Sequence, residues 1–322
     1  MRAVIAQDSK PILIDVPVPE PADGEVLVQV AATALNRADL LQVMGRYNPP
    51  QGVTETLGME FAGTIVGVGA GVDASVIGQP IMALVAGGGY ADYATVPLAH
   101  TLPLTEGYSM EQGAAFMEVF LTAYSNLVDF GRFQAGETVL IHAGASGVGL
   151  AAIQLVKAFG GVAVVTASGG KHAICTAHGA DFCVDYKKAN FADAILERYP
   201  DGVDVILEMV GAPYWNDNMR VIRPFGRIVF IGVMTGSRGE VDFRQIMTKR
   251  LTVTGSTLRD RTKAQKSTLV ANFAAWATPH IAAGTLRPTV WNSYPLEQVE
   301  MAHRMMRDNQ NAGKIVLTMN GA

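Results

Sequence analysis

The chain has 322 residues, 49% of them apolar, with 25 basic and 29 acidic side chains and a net charge of −4. That length points to two domains with sizeable cores, and two cysteines cannot build a disulfide framework or a four-cysteine zinc lobe. The slight acidic balance lacks the basic stripe that nucleic acid requires.

The opening residues read as a strand, not a signal peptide, and no stretch approaches the roughly 18 uninterrupted apolar residues of a membrane span. A soluble, cytoplasmic protein with no nucleic-acid or membrane partner is therefore expected. Residues 12–16, 25–30, 61–68, 80–85 and 90–96 read as short strands punctuated by glycine and proline. From about Leu121 the period changes. Residues 121–130 read as a helix and 139–142 as a buried strand. Helices at 147–159, 171–178, 191–198 and 215–222 then alternate with strands at 162–166, 182–185, 203–207, 227–231 and 251–254.

Short apolar strands alternating with helices predict an α/β fold, a Rossmann doubly wound parallel sheet beside a β-rich domain. After Thr262 come a helix at 263–283, a helix at 296–308 and a strand at 313–317. The expected division is 1–120 as the first part of the β-rich domain, 121–258 as the Rossmann domain, and 259–322 completing the first.

The strongest local signal is Val139-Leu140-Ile141-His142-Ala143-Gly144-Ala145-Ser146-Gly147-Val148-Gly149, between a strand and a helix. In that context Gly144 permits a tight turn, Gly147 lets backbone approach a pyrophosphate, and Gly149 allows close helix–strand packing. The helix N-terminus offers unpaired N–H groups to the phosphate. An NAD site places a carboxylate about 20 residues later, yet no acid occurs between Glu137 and Asp181. The second strand leads into Ser168-Gly169-Gly170-Lys171, with Lys171 and Ser168 suited to a 2′-phosphate. Tyr186 could stack or donate nearby. NADP(H) is thus favoured, against readings of Lys171 as a solvated lysine and Tyr186 as a rim aromatic.

These features, with Ala34-Leu35-Asn36-Arg37-Ala38-Asp39-Leu40 and Asn309-Gln310-Asn311-Ala312-Gly313-Lys314, resemble the zinc-free quinone oxidoreductases of the medium-chain dehydrogenase/reductase superfamily. The branch it resembles most is the tumour-suppressor-inducible one of animals, through the 142–149 segment and Tyr214-Trp215. The resemblance spans essentially the whole chain. It implies a GroES-like catalytic domain, NADPH-dependent hydride transfer to quinones, and a homodimer, for which strand 251–254 offers a sheet edge. The resemblance implies cofactor contacts at Ser146, Gly147, Val148, Lys171, Tyr186, Gly232, Asn309 and Asn311, and Asn36, Thr122, Gly144 and Ser168 complete the expected cofactor-binding residues. One departure stands out: the serine that members often carry just before the basic residue falls at Gly169, with Ser168 one place earlier.

Zinc-dependent relatives place Cys and His where this chain has Asn36 and Met59, and an amide and a thioether are poor substitutes. No metal is expected. Catalysis then rests on positioning a planar acceptor and excluding water, with Asn36 and Tyr47 as the candidate catalytic residues, Asn36 orienting and Tyr47 stacking or donating. The plainer readings are an Asx turn and a loop aromatic. Arg259 and Arg261 are candidates for cofactor or substrate contact or for helix-flanking roles. Glu60 reads as structural, Cys175 as a packed thiol, and Met301, Met305 and Met306 as core. Two other functions compete: an enone or enoyl-thioester reductase, which needs a proton donor, and a non-catalytic NADPH-binding protein.

Overall fold

The computed structural model describes residues 1–319. It divides into two units, Met1–Leu121 with the segment from Leu258 onward, and Thr122–Thr257.

The first unit opens with the hairpin β1 (Arg2–Gln7) and β2 (Lys10–Asp15). Its two-residue turn places Asp8 and Ser9 at φ 50° and 59°, the left-handed pair that matches strand twist. Then come β3 (Glu25–Ala34), α1 (Arg37–Val43), β4 (Glu60–Val68), β5 (Pro80–Leu84), β6 (Tyr93–Pro97), β7 (Thr101–Pro103), α2 (Met110–Ala114) and α3 (Met117–Ser125). The second unit carries β8 (Thr138–Ile141), α4 (Gly147–Ala158), β9 (Val162–Ala167), α5 (His172–Ala177), β10 (Phe182–Asp185), α6 (Phe191–Arg198), β11 (Val203–Glu208), α7 (Trp215–Val221), β12 (Ile222–Phe230), α8 (Phe243–Lys249) and β13 (Thr252–Gly255). The chain returns to the first unit with α9 (Lys263–Ala282), β14 (Val290–Pro295), α10 (Val299–Arg307) and β15 (Lys314–Thr318).

In the first unit, seven strands form one sheet in the order β14-β15-β3-β4-β5-β7, with β6 also on β3. All pairs are antiparallel except β14 with β15. Val26, Val28 and Val30 alternate inward along β3 and join Leu35, Phe61, Ile65, Tyr90, Ile315 and Leu317 in one core. In the second unit, six parallel strands run β10-β9-β8-β11-β12-β13. Relative to β8 as first, this is the 3-2-1-4-5-6 order of a Rossmann sheet, with its switch point between β8 and β11. Val139, Leu140 and Ile141 are fully buried, as a central parallel strand covered on both faces requires.

Three local readings are corrected. The helix read over 121–130 begins at Met117 and closes in a wide π turn over Asn126–Phe130. The sequence reading places no helix at α8 (Phe243–Lys249): Asp242 caps it by accepting from the Arg244 N–H, and although Phe243, Ile246 and Met247 recur at helical spacing, only Ile246 packs against the core, partly buried. Met301 is also not core; it is 41% exposed, while Met306 is buried and Met305 packs at the core's margin.

Candidate functional site

In the second unit the glycine turn follows β8 at the sheet's carboxyl edge. The left-handed residue of that turn is Ala143, at φ 50°, not Gly144. Gly144 is required for another reason: a Cβ there would lie 2.6 Å from Val165 Cβ on β9. A Cβ on Gly149 would stand 2.5 Å from the carbonyl oxygens of Ala143 and Gly144, so this glycine lets helix α4 close onto the turn itself, not onto a strand. Ser146 caps α4, its Oγ accepting from the Gly149 N–H at 3.0 Å. Gly147 and Val148 open the helix.

Beneath the turn, His142 is a satisfied core residue. Its Nδ1 lies 2.9 Å from Thr166 Oγ1 and its Nε2 2.8 Å from Asn218 Oδ1. Asn218 donates in turn to Glu208, whose other oxygen accepts from the backbone N–H groups of Val210 and Gly211. Burial lowers the His142 pKa, opposed by the Glu208 charge. This network ties together the carboxyl ends of β8, β9 and β11.

Because the strands are parallel, Ser168 and Lys171 after β9, Tyr186 after β10 and Gly232 after β12 all follow carboxyl ends on the same edge as the glycine turn. Ser168 begins a single 3₁₀ turn, closed by the Lys171 N–H to its carbonyl at 2.8 Å. Tyr186 is 44% exposed. The acid-free stretch does not keep carboxylates away, however. A Cβ on Gly169 would lie 2.6 Å from Asp185 Oδ2, so the glycine at this position gives room to a carboxylate delivered by the neighbouring strand. Thr122, on α3, is buried, its carbonyl accepting from Asn126 Nδ2 at 2.8 Å. Taken together, a side-chain-free cradle, a capped helix N-terminus and a basic turn fit a dinucleotide.

The first unit holds the other candidates. Asn36 precedes α1 and its backbone N–H donates to Asp39 Oδ2 at 2.7 Å. Its side chain makes no Asx turn. Oδ1 accepts from Lys314 Nζ at 2.6 Å, and Nδ2 donates to Glu60 Oε1 at 3.0 Å and toward the Ala34 carbonyl at 3.3 Å. Lys314 also donates to the Leu35 carbonyl and lies 2.7 Å from Glu60 Oε1, with both side chains out of water. Asp39 is buried and accepts from the Tyr90 hydroxyl at 3.0 Å; burial pushes its pKa up to about 6.

Tyr47, half-buried in the loop after α1, is gripped by Arg259, which donates to its carbonyl at 3.1 Å and lies 5.3 Å from its ring centroid. Burial and the Asp260 and Glu118 carboxylates push the Tyr47 phenol up to about 12. Asn309, at φ 52°, accepts from Arg37 at 2.6 Å, and Asn311 donates to the Gly313 carbonyl at 2.7 Å. Met59 is buried, and no cluster of three or more His, Cys, Asp or Glu able to hold a metal occurs among the described residues. No helix there is long and apolar enough to cross a membrane.

Sequence reasoning passed over Glu118, Lys314 and Asp185. Glu118 alone left a signal, as the single acid within the apolar run 113–124.

Two family models match: an alcohol dehydrogenase GroES-like domain over residues 22–106 and a zinc-binding dehydrogenase domain over 147–275. The chain is 32% identical to the synaptic vesicle membrane protein VAT-1 homolog of Rattus norvegicus, covering 93% of this chain and 78% of that one. It is 32% identical to the quinone oxidoreductase of the same species, covering 95% and 92%. Among solved structures, a mycobacterial protein in complex with NADPH matches with TM-score 0.88 at 26% identity, covering 99% of this chain and all of that one. The JamJ enoyl reductase in apo form matches with TM-score 0.87 at 26% identity, covering 99% of both.

Proposed function

The chain belongs to the medium-chain dehydrogenase/reductase superfamily as an oxidoreductase with a nicotinamide cofactor, and we propose that it is an NADPH-dependent, zinc-independent quinone oxidoreductase. In this reading the second unit binds the dinucleotide. Gly144, Ser146, Gly147 and Val148 receive the pyrophosphate, Ser168 and Lys171 the 2′-phosphate, Tyr186 the adenosine, and Thr122 and Gly232 the remaining length. Asn309 and Asn311 are cofactor contacts in the same proposal. When bound, the cofactor supplies a hydride from nicotinamide C4. Asn36 and Tyr47 then orient the acceptor and screen it from water.

The observation that carries this reading is the Lys314 ammonium, 2.6 Å from Asn36 Oδ1 and 2.7 Å from Glu60 Oε1. A fixed cation already balances the buried carboxylate, and it would repel a metal ion approaching Asn36. The charge arrangement therefore suits hydride transfer by positioning, with no Lewis acid. A homodimer is part of the proposal. Phe243 and Met247 on α8 are each 72% exposed, close in sequence to the edge strand β13, and large apolar exposure of this kind marks an interface. Two free thiols suit a cytoplasmic setting.

The test is NADPH oxidation against ortho-quinones, para-quinones and enones, with NADH as control and zinc analysis of the purified protein. Quinone turnover with no stoichiometric zinc is expected. Faster enone turnover would move the reading to an enone reductase. Clear NADPH binding without turnover would leave a binding protein.

A further inference from the structure

Glu118 is the second residue of α3, and its own backbone N–H donates to Glu60 Oε2 at 2.9 Å. Both oxygens of Glu60 are thereby engaged, Oε1 by Lys314 and Asn36, Oε2 by this N–H. The Lys314 ammonium has three hydrogens and three acceptors: the Leu35 carbonyl, Asn36 Oδ1 and Glu60 Oε1. The Asn36 amide directs its two hydrogens at Glu60 and Ala34. Lys266 donates to the Arg259 carbonyl, and Arg259 to Ala86, Tyr47 and Gln42. Around Asn36 the donors are committed to partners inside the protein.

The Glu118 carboxyl differs. No hydrogen bond reaches its side chain among the described residues, and the residue is not sealed from solvent. The charged and titratable groups facing it are Glu60 on β4, Asp39 on α1, Lys314 on β15 and Lys266 on α9, with Tyr47 and Arg259 at its margin. Lys314 is already paired with Glu60, so a charge on the Glu118 carboxyl is opposed first by its poorly solvated place and then by repulsion from Glu60. Burial and that repulsion push the Glu118 carboxyl up to about 8, against the pull of the two lysines. Near neutrality it therefore holds a proton and remains able to lose one. The Tyr47 phenol, up at about 12, is a much weaker acid.

We propose that Glu118 is the proton donor of the reduction, passing its carboxyl proton to the acceptor oxygen that becomes negative as hydride arrives. This inference rests on the oxidoreductase reading above. The hydride brings two electrons and one proton to the quinone. The Glu118 O–H bond breaks, leaving the carboxylate, and a new O–H bond forms on the acceptor. Solvent water then restores the Glu118 proton, so NADPH, quinone and one proton yield NADP⁺ and hydroquinone. With an enone, hydride adds to the β-carbon and the same proton goes to the enolate. General acid catalysis of this kind is worth about 10²–10⁴-fold.

The test compares wild type, Glu118→Gln and Glu118→Asp. In wild type kcat should fall as pH rises through about 8. Glu118→Gln should lose that limb and roughly 10²-fold in kcat, with NADPH Kd within about twofold, and Glu118→Asp should restore part of the rate. Independently of turnover, infrared difference spectra of the cofactor-free protein should show a protonated carboxyl band that titrates near 8 in wild type and is absent in Glu118→Gln. An active wild type matched by Glu118→Gln in rate and pH profile overturns the role of Glu118 alone. A wild type inactive on every quinone and enone overturns the oxidoreductase reading, and the donor role with it. A wild type lacking the band overturns the role even if the variant fails to fold.

Discussion

Arg259 holds Tyr47 twice, donating to its carbonyl at 3.1 Å and standing 5.3 Å from the centroid of its ring. The same guanidinium reaches the Ala86 carbonyl at 2.6 Å and Gln42 Oε1 at 2.8 Å. Three segments thus meet on one planar fork, which a lysine cannot reproduce. Arg259→Lys should loosen the Tyr47 loop and raise KM for the acceptor by roughly 5–20-fold, while kcat changes by less than about threefold. Steady-state kinetics with a fixed quinone checks this. A fall in kcat at constant KM would contradict a positioning role.

Lys171 and Asp185 should act on cofactor choice in opposite senses. Lys171→Ala should weaken NADPH binding about tenfold and NADH binding about twofold or less, through loss of one charge-assisted contact. Asp185→Asn should shift the ratio about 2–5-fold toward NADPH, because a carboxylate beside Gly169 repels a phosphate. Fluorescence titrations with both cofactors measure the two ratios. Equal losses in Lys171→Ala would remove that lysine from 2′-phosphate recognition.

His303 is fully buried, and neither ring nitrogen has a hydrogen-bond partner; its ring meets Tyr90 edge-on at 6.0 Å. Burial and the Arg307 charge lower its pKa to about 4. In the unfolded chain the imidazole takes up a proton as pH falls below its ordinary 6.5, whereas the folded protein resists until about 4. Stability therefore drops through that window as pH falls. His303→Leu should gain about 1 kcal/mol at neutral pH by removing an unsatisfied polar group, and more near pH 4. Asp39, pushed up to about 6, titrates in the opposite sense and is common to both proteins. Urea melts of the pair from pH 4 to 7 give the difference, and parallel curves would refute the assignment.

The proposed dimer makes a further prediction. Met247→Lys with Phe243→Glu replaces two exposed apolar side chains on α8 and should yield a monomer by sedimentation velocity, with folding preserved since both side chains are 72% exposed in their own chain. An unchanged sedimentation coefficient would place the interface elsewhere or leave the wild type monomeric.

The nucleotide unit was largely legible in the sequence because its signals are local. Strand Val139-Leu140-Ile141, the glycine turn and helix α4 lie within twenty residues, and each reads from period and turn chemistry. Even there, the roles within the turn shifted. Ala143 adopts the left-handed backbone, while Gly144 is demanded by Val165 across the sheet, a neighbour that no local pattern reveals. Helix α8 is only seven residues long, too short for the spacing of Phe243, Ile246 and Met247 to stand out from a loop.

The alternation of strands and helices in the nucleotide unit, the phosphate turn and the absence of thiolate or imidazole at positions 36 and 59 follow from the sequence by itself, whereas the strands β7 and β14 do not stand out in it. Tertiary structure decided the charges. It set Lys314 against Asn36, 278 residues away, and so balanced the buried Glu60. It brought Asp185 to Gly169 across paired strands and gathered Glu60, Asp39, Lys314 and Lys266 around Glu118. Electrostatic character depends on distance and burial, and neither has a period along the chain.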